Sequence, residues 1–411
     1  MNNSKHSNIL YVGTYTEIVA GDFGGHGKGI SCYEFDAKNG ELNLLHNQFQ
    51  VNPSYLSITN KMHSSKELEN KSSNYLFAVS EVLASKKPVI HTYTINDNYA
   101  LRLIDTKTIE GGCPCHIHYF KDKDDQSFTA TACYETGNLV IHTIDVEKID
   151  NTINDTINNN INVESTASFN NLEPINVYHK GSSQHPSRQT QAHAHCACFD
   201  KVSNKLLVCD LGLDQVKVYN VQINNNSFNA IEEQIIILPA GSGPRHICFD
   251  DNYSYGIIIN ELTGSVTIIK HSAEKNKYEI KGTFDTSGPL KDSINETETK
   301  PVNIETDLGA AAIRVSKDRK FIYTSMRSDS NIRLFAFDPI AESLSYIASY
   351  PTEGLTPRDF TIDATGKWLL VAHQDSDTIS IFNVNSYNGT LSFHKTVNNI
   401  ESPVCLAWLP K

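Results

Sequence analysis

Apolar residues along this chain come in short runs, not at helical spacing. Stretches rich in Val, Ile, Leu, Tyr and Phe are broken by Gly, Asn, Asp and Pro, and long helical periodicity is nearly absent, so the chain reads as all-β. The runs recur as a unit: a turn with Pro and a small residue, an apolar strand, a polar hairpin, a second strand, a polar loop and a third strand. Its clearest copy is GPRHICFD (243–250), YGIIINEL (255–262) and SVTIIK (265–270). Another is TPRDFTID (356–363), WLLVAHQ (368–374) and TISIFNV (378–384). Weaker copies begin at Asn52-Pro53-Ser54, at Cys113-Pro114-Cys115, at AHAHCACFD (192–200) and at AAAIRVS (310–316).

Those make six copies, and the seventh is in two pieces. Residues Ser402 to Trp408 have the form of a first strand with nothing after it, while ILYVGTY (9–15) and GISCYEF (29–35) have the form of later strands with no beginning. A ring closed by pairing the two ends accounts for both leftovers and removes exposed strand edges. The expectation is an all-β, seven-bladed β-propeller over 1–411 as a single domain, with the N- and C-terminal strands sharing one blade. The Asn-rich stretch 150–190 and the polar stretch 285–307 fall outside the repeat and read as loop insertions.

Composition narrows the classes of function. The 411 residues are 39% hydrophobic and 20% charged, with net charge −12 and pI near 5.7, enough apolar content for a core and too little for disorder. An excess of 47 acidic over 35 basic residues argues against nucleic acid or an anionic membrane as partner. No run approaches the ~18 apolar residues of a membrane span. The polar stretch up to Ile9 is unlike a secretory signal, and nine cysteines spread along a large chain suit reduced thiols. These features predict a cytoplasmic protein and leave the oligomeric state open.

The innermost strands of a propeller converge on a central channel, so equivalent repeat positions form rings around its axis. The residue after the turn Pro is Ser54, Cys115, His195, Arg245, Ala311, Arg358 and Val404, with Ala194 and Ala310 standing for Pro in two copies. The end of the second strand supplies Tyr15, Glu81, Tyr134, Leu211, Glu261, Arg327 and Gln374. Strand interiors are uniformly apolar but both rings are mixed, and polar residues that vary where the scaffold repeats are candidate ligand contacts. They predict an anion site at the channel mouth made by Arg245, Arg327 and Arg358, with Glu261 and His195 alongside. Period-two alternation puts His193 on the side of His195, and Glu81, Gln374 and Tyr15 complete the candidate lining. The competing reading makes Arg245 and Glu261 a structural ion pair within one blade. Against it, arginines sharing a ring with nothing bound would repel one another. His246 and Asp359 are turned away from the ring by alternation and read as turn or interblade hydrogen-bonding residues.

Other chemistries lack their residues. Cys113, Cys115, His116 and His118 are close in sequence, as are His193, His195, Cys196 and Cys198, but C-x-C on a strand is not the spacing of structural zinc. Buried thiols are the default reading, and no metal or other cofactor is expected. Nucleophile-elbow, P-loop and dinucleotide motifs are absent, and GGHGKG (24–29) joins two strands without a following helix.

YVGTYT (11–16), Asn52-Pro53-Ser54, PCH (114–116), HAH (193–195) with VCDLGLDQV (208–216), GSGPRH (241–246) with NEL (260–262), and TPRDFTID with VAHQDSDTI (371–379) resemble the seven-bladed propeller lactonases. That family includes the bacterial propeller-type 6-phosphogluconolactonase and the fungal carboxymuconate cyclase. The resemblance runs through every blade from Ile9 to Trp408 and is poor at the two insertions. It implies an active site of one His, two Arg and one Glu, matched here by His195, Arg245, Arg327 and Glu261. The implied partner is a small anionic lactone, and the implied reaction is hydrolysis of 6-phosphogluconolactone to 6-phosphogluconate in the pentose phosphate pathway. A carboxymuconate cyclase-type lactonizing enzyme or another sugar lactonase is the enzymatic alternative. A non-catalytic propeller that binds a protein or small anion is the alternative of another class. In the hydrolytic reading Arg245 or Arg327 stabilises the oxyanion, while Arg358 and a neighbour hold the phosphate. Glu261, depressed in pKa, orients an arginine, and His195 is the base.

Overall fold

A computed structural model describes residues 8–59, 74–145, 172–224, 227–250, 252, 255–286 and 307–410. Short strands that are apolar throughout can be buried only if their sheets stack face to face. Each repeat accordingly forms a four-stranded antiparallel sheet, and seven such blades make the ring. The inner strands of blades 1 to 7 are Leu56–Ile58, Pro114–Lys121, Ala194–Asp200, Pro244–Phe249, Ala310–Val315, Pro357–Ile362 and Pro403–Trp408. Consecutive inner strands pack against one another, and that of blade 7 returns to that of blade 1. Blade 7 closes the ring as expected: Leu10 of Asn8–Thr14 lies opposite Trp408, and Val12 opposite Leu406.

Burial follows distance from the axis. Second strands such as Tyr75–Val79, Ser127–Cys133 and Tyr255–Asn260 are buried at every residue, because both faces of each blade are covered. Seven hydrophobic clusters lie one at each interface between neighbouring blades, and an eighth, of Tyr15, Val19, Cys113 and Val404, is separate from them. Between blades 1 and 2, for instance, Tyr75, Phe77 and Val79 meet Ile117, Cys133 and Val140.

The repeat read from the sequence has three strands, and the blades have four. The outermost strands, Glu41–Gln48 and Leu391–Asn398 among them, are partly or fully exposed at most positions, so they carry little apolar pattern to read. One of them, Ile175–Tyr178, is the outer strand of blade 2 and lies inside the stretch 150–190 expected as a loop insertion. The remainder of that stretch up to 171, and most of 285–307, lie outside the described residues.

Candidate active site

The turn that opens each blade is built to one plan, and it is this turn that aims side chains into the channel. In six blades the residue ahead of the Pro or Ala has left-handed backbone: Asn52 (φ 42°), Cys113 (48°), Gly243 (63°), Gly309 (57°), Thr356 (57°) and Ser402 (46°). Its carbonyl accepts the N–H of the residue that ends the second strand. Glu81 bonds Asn52 at 2.9 Å, Tyr134 bonds Cys113 at 2.9 Å, and Glu261 bonds Gly243 at 2.7 Å. Arg327 bonds Gly309 at 3.0 Å, Gln374 bonds Thr356 at 3.1 Å, Tyr15 bonds Ser402 at 3.1 Å, and in blade 3 Leu211 bonds His193 at 3.0 Å. The two rings read from the repeat are therefore tied together blade by blade. One residue further on, the inner strand bulges. The pairing register shifts at Cys115, His195, Arg245, Arg358 and Val404, and across Ala311 and Ala312. A bulge leaves a residue without an opposite partner and re-aims its side chain.

Of these bulged residues Cys115, His195 and Arg358, and of the second ring Glu81, Tyr134, Glu261 and Arg327, border a cavity of about 500 Å³ open to solvent. Glu261 is its electrostatic centre, 2% exposed. Its Oε1 takes Arg188 Nη2 at 2.5 Å and Arg327 Nη2 at 2.9 Å. Its Oε2 faces Arg245 Nε at 2.9 Å and His195 Nε2 at 3.9 Å. The Arg245 contact is Coulombic and not a directed hydrogen bond, since neither Nε nor Oε2 has an aligned partner among the described residues. Burial works to raise the Glu261 pKa, but Arg327, Arg188 and Arg245 overcome it and hold the carboxyl well below the ordinary range. Burial pushes the Arg245 guanidinium down to about 10, against the pull of Glu261, so it stays charged at neutral pH. The ion pair weighed from the sequence is present, but it is one arm of a cluster that also engages Arg188 and Arg327.

Burial also holds the His195 imidazole well below the ordinary histidine range. Arg245 pushes the same way and Glu261 opposes it. The Sγ of Cys115 lies 3.6 Å from Nδ1, which leaves Nε2 turned toward Glu261. The result is a neutral imidazole beside an ionised carboxylate.

Arg358 sits deeper. Its Nη2 donates to the Tyr15 hydroxyl at 2.8 Å, which donates in turn to Glu81 Oε2 at 2.8 Å, and its Nη1 reaches Gln374 Oε1 at 3.4 Å. Its guanidinium lies 5.2 Å from the Tyr15 ring centre and 5.0 Å from that of Phe23. Glu81 and Arg358 line the cavity, whereas Tyr15 and Gln374 stand behind them and hold Arg358. Below this level, a space of about 10 Å³ is enclosed in part by Ser54, Arg245, His246, Arg358 and Asp359.

Of the candidates, His195, Glu261, Arg327, Arg358 and Glu81 line the cavity, and Arg245 lies beneath it against Glu261. His193 does not join them. It lies ahead of the strand, and the bulge at His195 breaks the alternation that paired the two. Its Nδ1 lies 2.7 Å from the Tyr134 carbonyl, and its ring stacks on that of Tyr134. Asp359 bridges blades as expected, accepting from the Leu406 N–H at 2.9 Å and pairing with Arg314 at 2.7 Å. His246 instead meets Arg245 Nη1 at 3.0 Å, because the bulge at Arg245 turns its neighbour inward as well. The Cys/His groups contribute a buried contact of Cys196 Sγ with His116 Nε2 at 3.3 Å.

Sequence reading missed Arg188 and Asp307. Arg188 bonds Asp307 through Nη1 and the Tyr134 hydroxyl at 3.3 Å through Nη2. Its loop is pinned by His179, whose Nδ1 is 2.6 Å from Asp210, and by buried Gln189, which donates to Leu211 O and Asp214, both at 2.8 Å. The available signal was a lone arginine shortly before HAH, in a stretch set aside as an insertion.

Among the described residues no helix is long and apolar enough to cross a membrane. The chain is 24% identical over 404 residues to the 6-phosphogluconolactonase of Bacillus subtilis, covering 98% of each sequence. Its fold is similar to a crystal structure of a putative 6-phosphogluconolactonase from Bacteroides fragilis, with TM-score 0.76, 24% identity and 100% of both chains covered. It is similar too to the periplasmic gluconolactonase of Pseudomonas aeruginosa, with TM-score 0.72, 22% identity and coverage of 98% of this chain and 99% of that one. With the family model described as "Lactonase, 7-bladed beta-propeller" matching residues 9–408, the seven closed blades and the charged channel mouth belong to a member of that lactonase family.

Proposed function

We propose that the protein hydrolyses an anionic sugar lactone, with 6-phosphogluconolactone as substrate and 6-phosphogluconate as product. The observation that carries this reading is the Oε2 side of Glu261, where neutral His195, which lines the open cavity, and charged Arg245, buried beneath it, flank one carboxylate oxygen. His195 Nε2 takes a proton from water as the water oxygen bonds to the lactone carbonyl carbon. The oxyanion that forms is stabilised by Arg245, which is already charged and held in place. The imidazolium then returns the proton to the ring oxygen as the C–O bond breaks, leaving a hydroxyl and a carboxylic acid, which releases its remaining proton to solvent. Glu261 is too acidic to serve as the base. It orients Arg245 and offsets the imidazolium as it forms. Membership of the lactonase family and the relative named 6-phosphogluconolactonase support the same substrate class. The compartment we propose is the cytoplasm, in keeping with nine free cysteines, most of them buried.

The test is purified protein with freshly generated 6-phosphogluconolactone, at a pH where spontaneous opening is slow. Acceleration over the blank, lost in Arg245→Ala with thermal unfolding little changed, is the expected result. No acceleration sinks the reading, and a stability loss without a loss of ligand affinity returns Arg245 and Glu261 to a structural pair.

A further inference from the structure

Glu261 divides its site in two. Its Oε2 faces His195 and Arg245, and its Oε1 faces Arg188 and Arg327. The second pair lies nearer solvent, with Arg188 28% and Arg327 21% exposed against 3% for Arg245. Arg327 places Nε on the Gly309 carbonyl at 2.9 Å and Nη2 on Glu261. Among the described residues its Nη1 has no protein partner. Arg188 anchors Nη2 on Glu261 and turns Nη1 to Asp307, a carboxylate 32% exposed that lines the same cavity. Two guanidiniums thus share one buried anchor, and each presents a further N–H group to the cavity.

We propose that Arg188 and Arg327 form the subsite for the substrate's phosphate, and that the Asp307 carboxylate occupies it until a dianionic group displaces it. This rests on the lactonase reading for the identity of the substrate, and it moves the phosphate from Arg358 to the mouth. Arg358 is buried and held by Tyr15 and Gln374, whereas Arg327 keeps Nη1 without a partner among the described residues and Arg188 holds only the part-exposed Asp307 through its Nη1. A phosphate monoester has enough oxygen lone pairs to take both Nη1 groups at once when it displaces Asp307, which holds only that of Arg188. The exchange is easy because an ion pair exposed to water is weak. Asp307 then acts as a filter: a neutral sugar lactone has no group that dislodges it, and a phosphorylated one does.

Calorimetric titration with inorganic phosphate, 6-phosphogluconate and gluconate tests the subsite directly in the full chain. Arg188→Gln should weaken binding of phosphate and of 6-phosphogluconate by about ten-fold or more, and change gluconate binding by less than about two-fold. Asp307→Asn, at an exposed position where folding is not at stake, should strengthen phosphate binding by about two- to five-fold. Wild-type affinity for phosphate in Arg188→Gln, or weaker phosphate binding in Asp307→Asn, overturns the subsite. Lactone turnover that proceeds with wild-type KM in Arg188→Gln overturns the subsite and leaves the lactonase reading in place. Arg188-dependent phosphate binding in a protein that opens no lactone does the reverse.

Discussion

Glu261→Gln separates the roles of this cluster. The substitution keeps the shape and removes the charge that Arg188, Arg245 and Arg327 share at 2.5, 2.9 and 2.9 Å. Glu261 is 2% exposed, so water does little to screen the loss, and breaking a buried ion pair of this kind costs about 3–5 kcal/mol. Denaturant unfolding should show that loss as a lower midpoint with an unchanged slope. Added phosphate should restore part of it by placing negative charge among the same guanidiniums. Activity should fall by up to about 10²–10³-fold, the range expected when an oxyanion-stabilising donor, here Arg245, loses its position. The acid limb of kcat/KM should survive and move to lower pH. Glu261 is the neighbour that raises the His195 pKa, so a variant without its charge protonates His195 less readily. If Glu261 were the base, the limb would disappear. A stability change under about 0.5 kcal/mol would refute the electrostatic account, since surface substitutions alone do that much.

Further outcomes follow from the same geometry. His195→Ala should lower kcat by about 10²–10⁴-fold with KM changed little, measured on initial rates with 6-phosphogluconolactone, and near-wild-type kcat removes His195 as base. In the wild type, kcat/KM should stay level from neutral pH down through the ordinary histidine range and fall only in more acidic solution, because burial keeps His195 neutral there; a limb near pH 6.5 contradicts this. Burial also lowers His118, His142 and His373 to about 4. Unfolded histidine binds a proton below about 6.5, so the stability these rings carry is complete above that pH and lost as pH falls to about 4, about 3 kcal/mol per ring at the limit. Urea midpoints that are equal at pH 7 and pH 4.5 would refute it. Arg358→Lys gives up the fork that joins Tyr15 to Gln374 and the packing on Phe23, and should reduce kcat/KM by about ten-fold with about 1 kcal/mol of stability, read from kinetics and thermal melts.

The ring was legible because its information is carried by buried strands. Val12 and Leu406 are apolar for the same reason, a place between blades 6 and 7, so the two chain ends could be recognised as one blade before any pairing was seen. The outer strands escaped notice for the complementary reason. Leu391–Asn398 shows water its Ser392, Phe393 and His394 alike, and solvent imposes no period on residues it accepts equally.

The site was legible only as far as it is made by the repeat. Arg245, Glu261 and Arg327 stood out because each occupies a place that six other blades also fill, and a shared turn delivers that place to the channel: a left-handed residue, a Pro or Ala, then a bulge. Equivalence between blades holds at the channel, and strand alternation does not. Period-two reasoning paired His193 with His195 and turned His246 away, yet the bulge inserts one residue and reverses the side on which each neighbour emerges. Arg188 lay beyond both kinds of reasoning, since its loop has no counterpart in the other blades and is held by His179, Gln189 and Asp214 from positions far apart in sequence. Specificity would then be set by the least regular part of the chain. The repeat gives six blades a bulged residue at the channel but only one Glu261, and the loop that brings a further arginine to its Oε1 is what turns a common propeller mouth into a receptor for a doubly charged group.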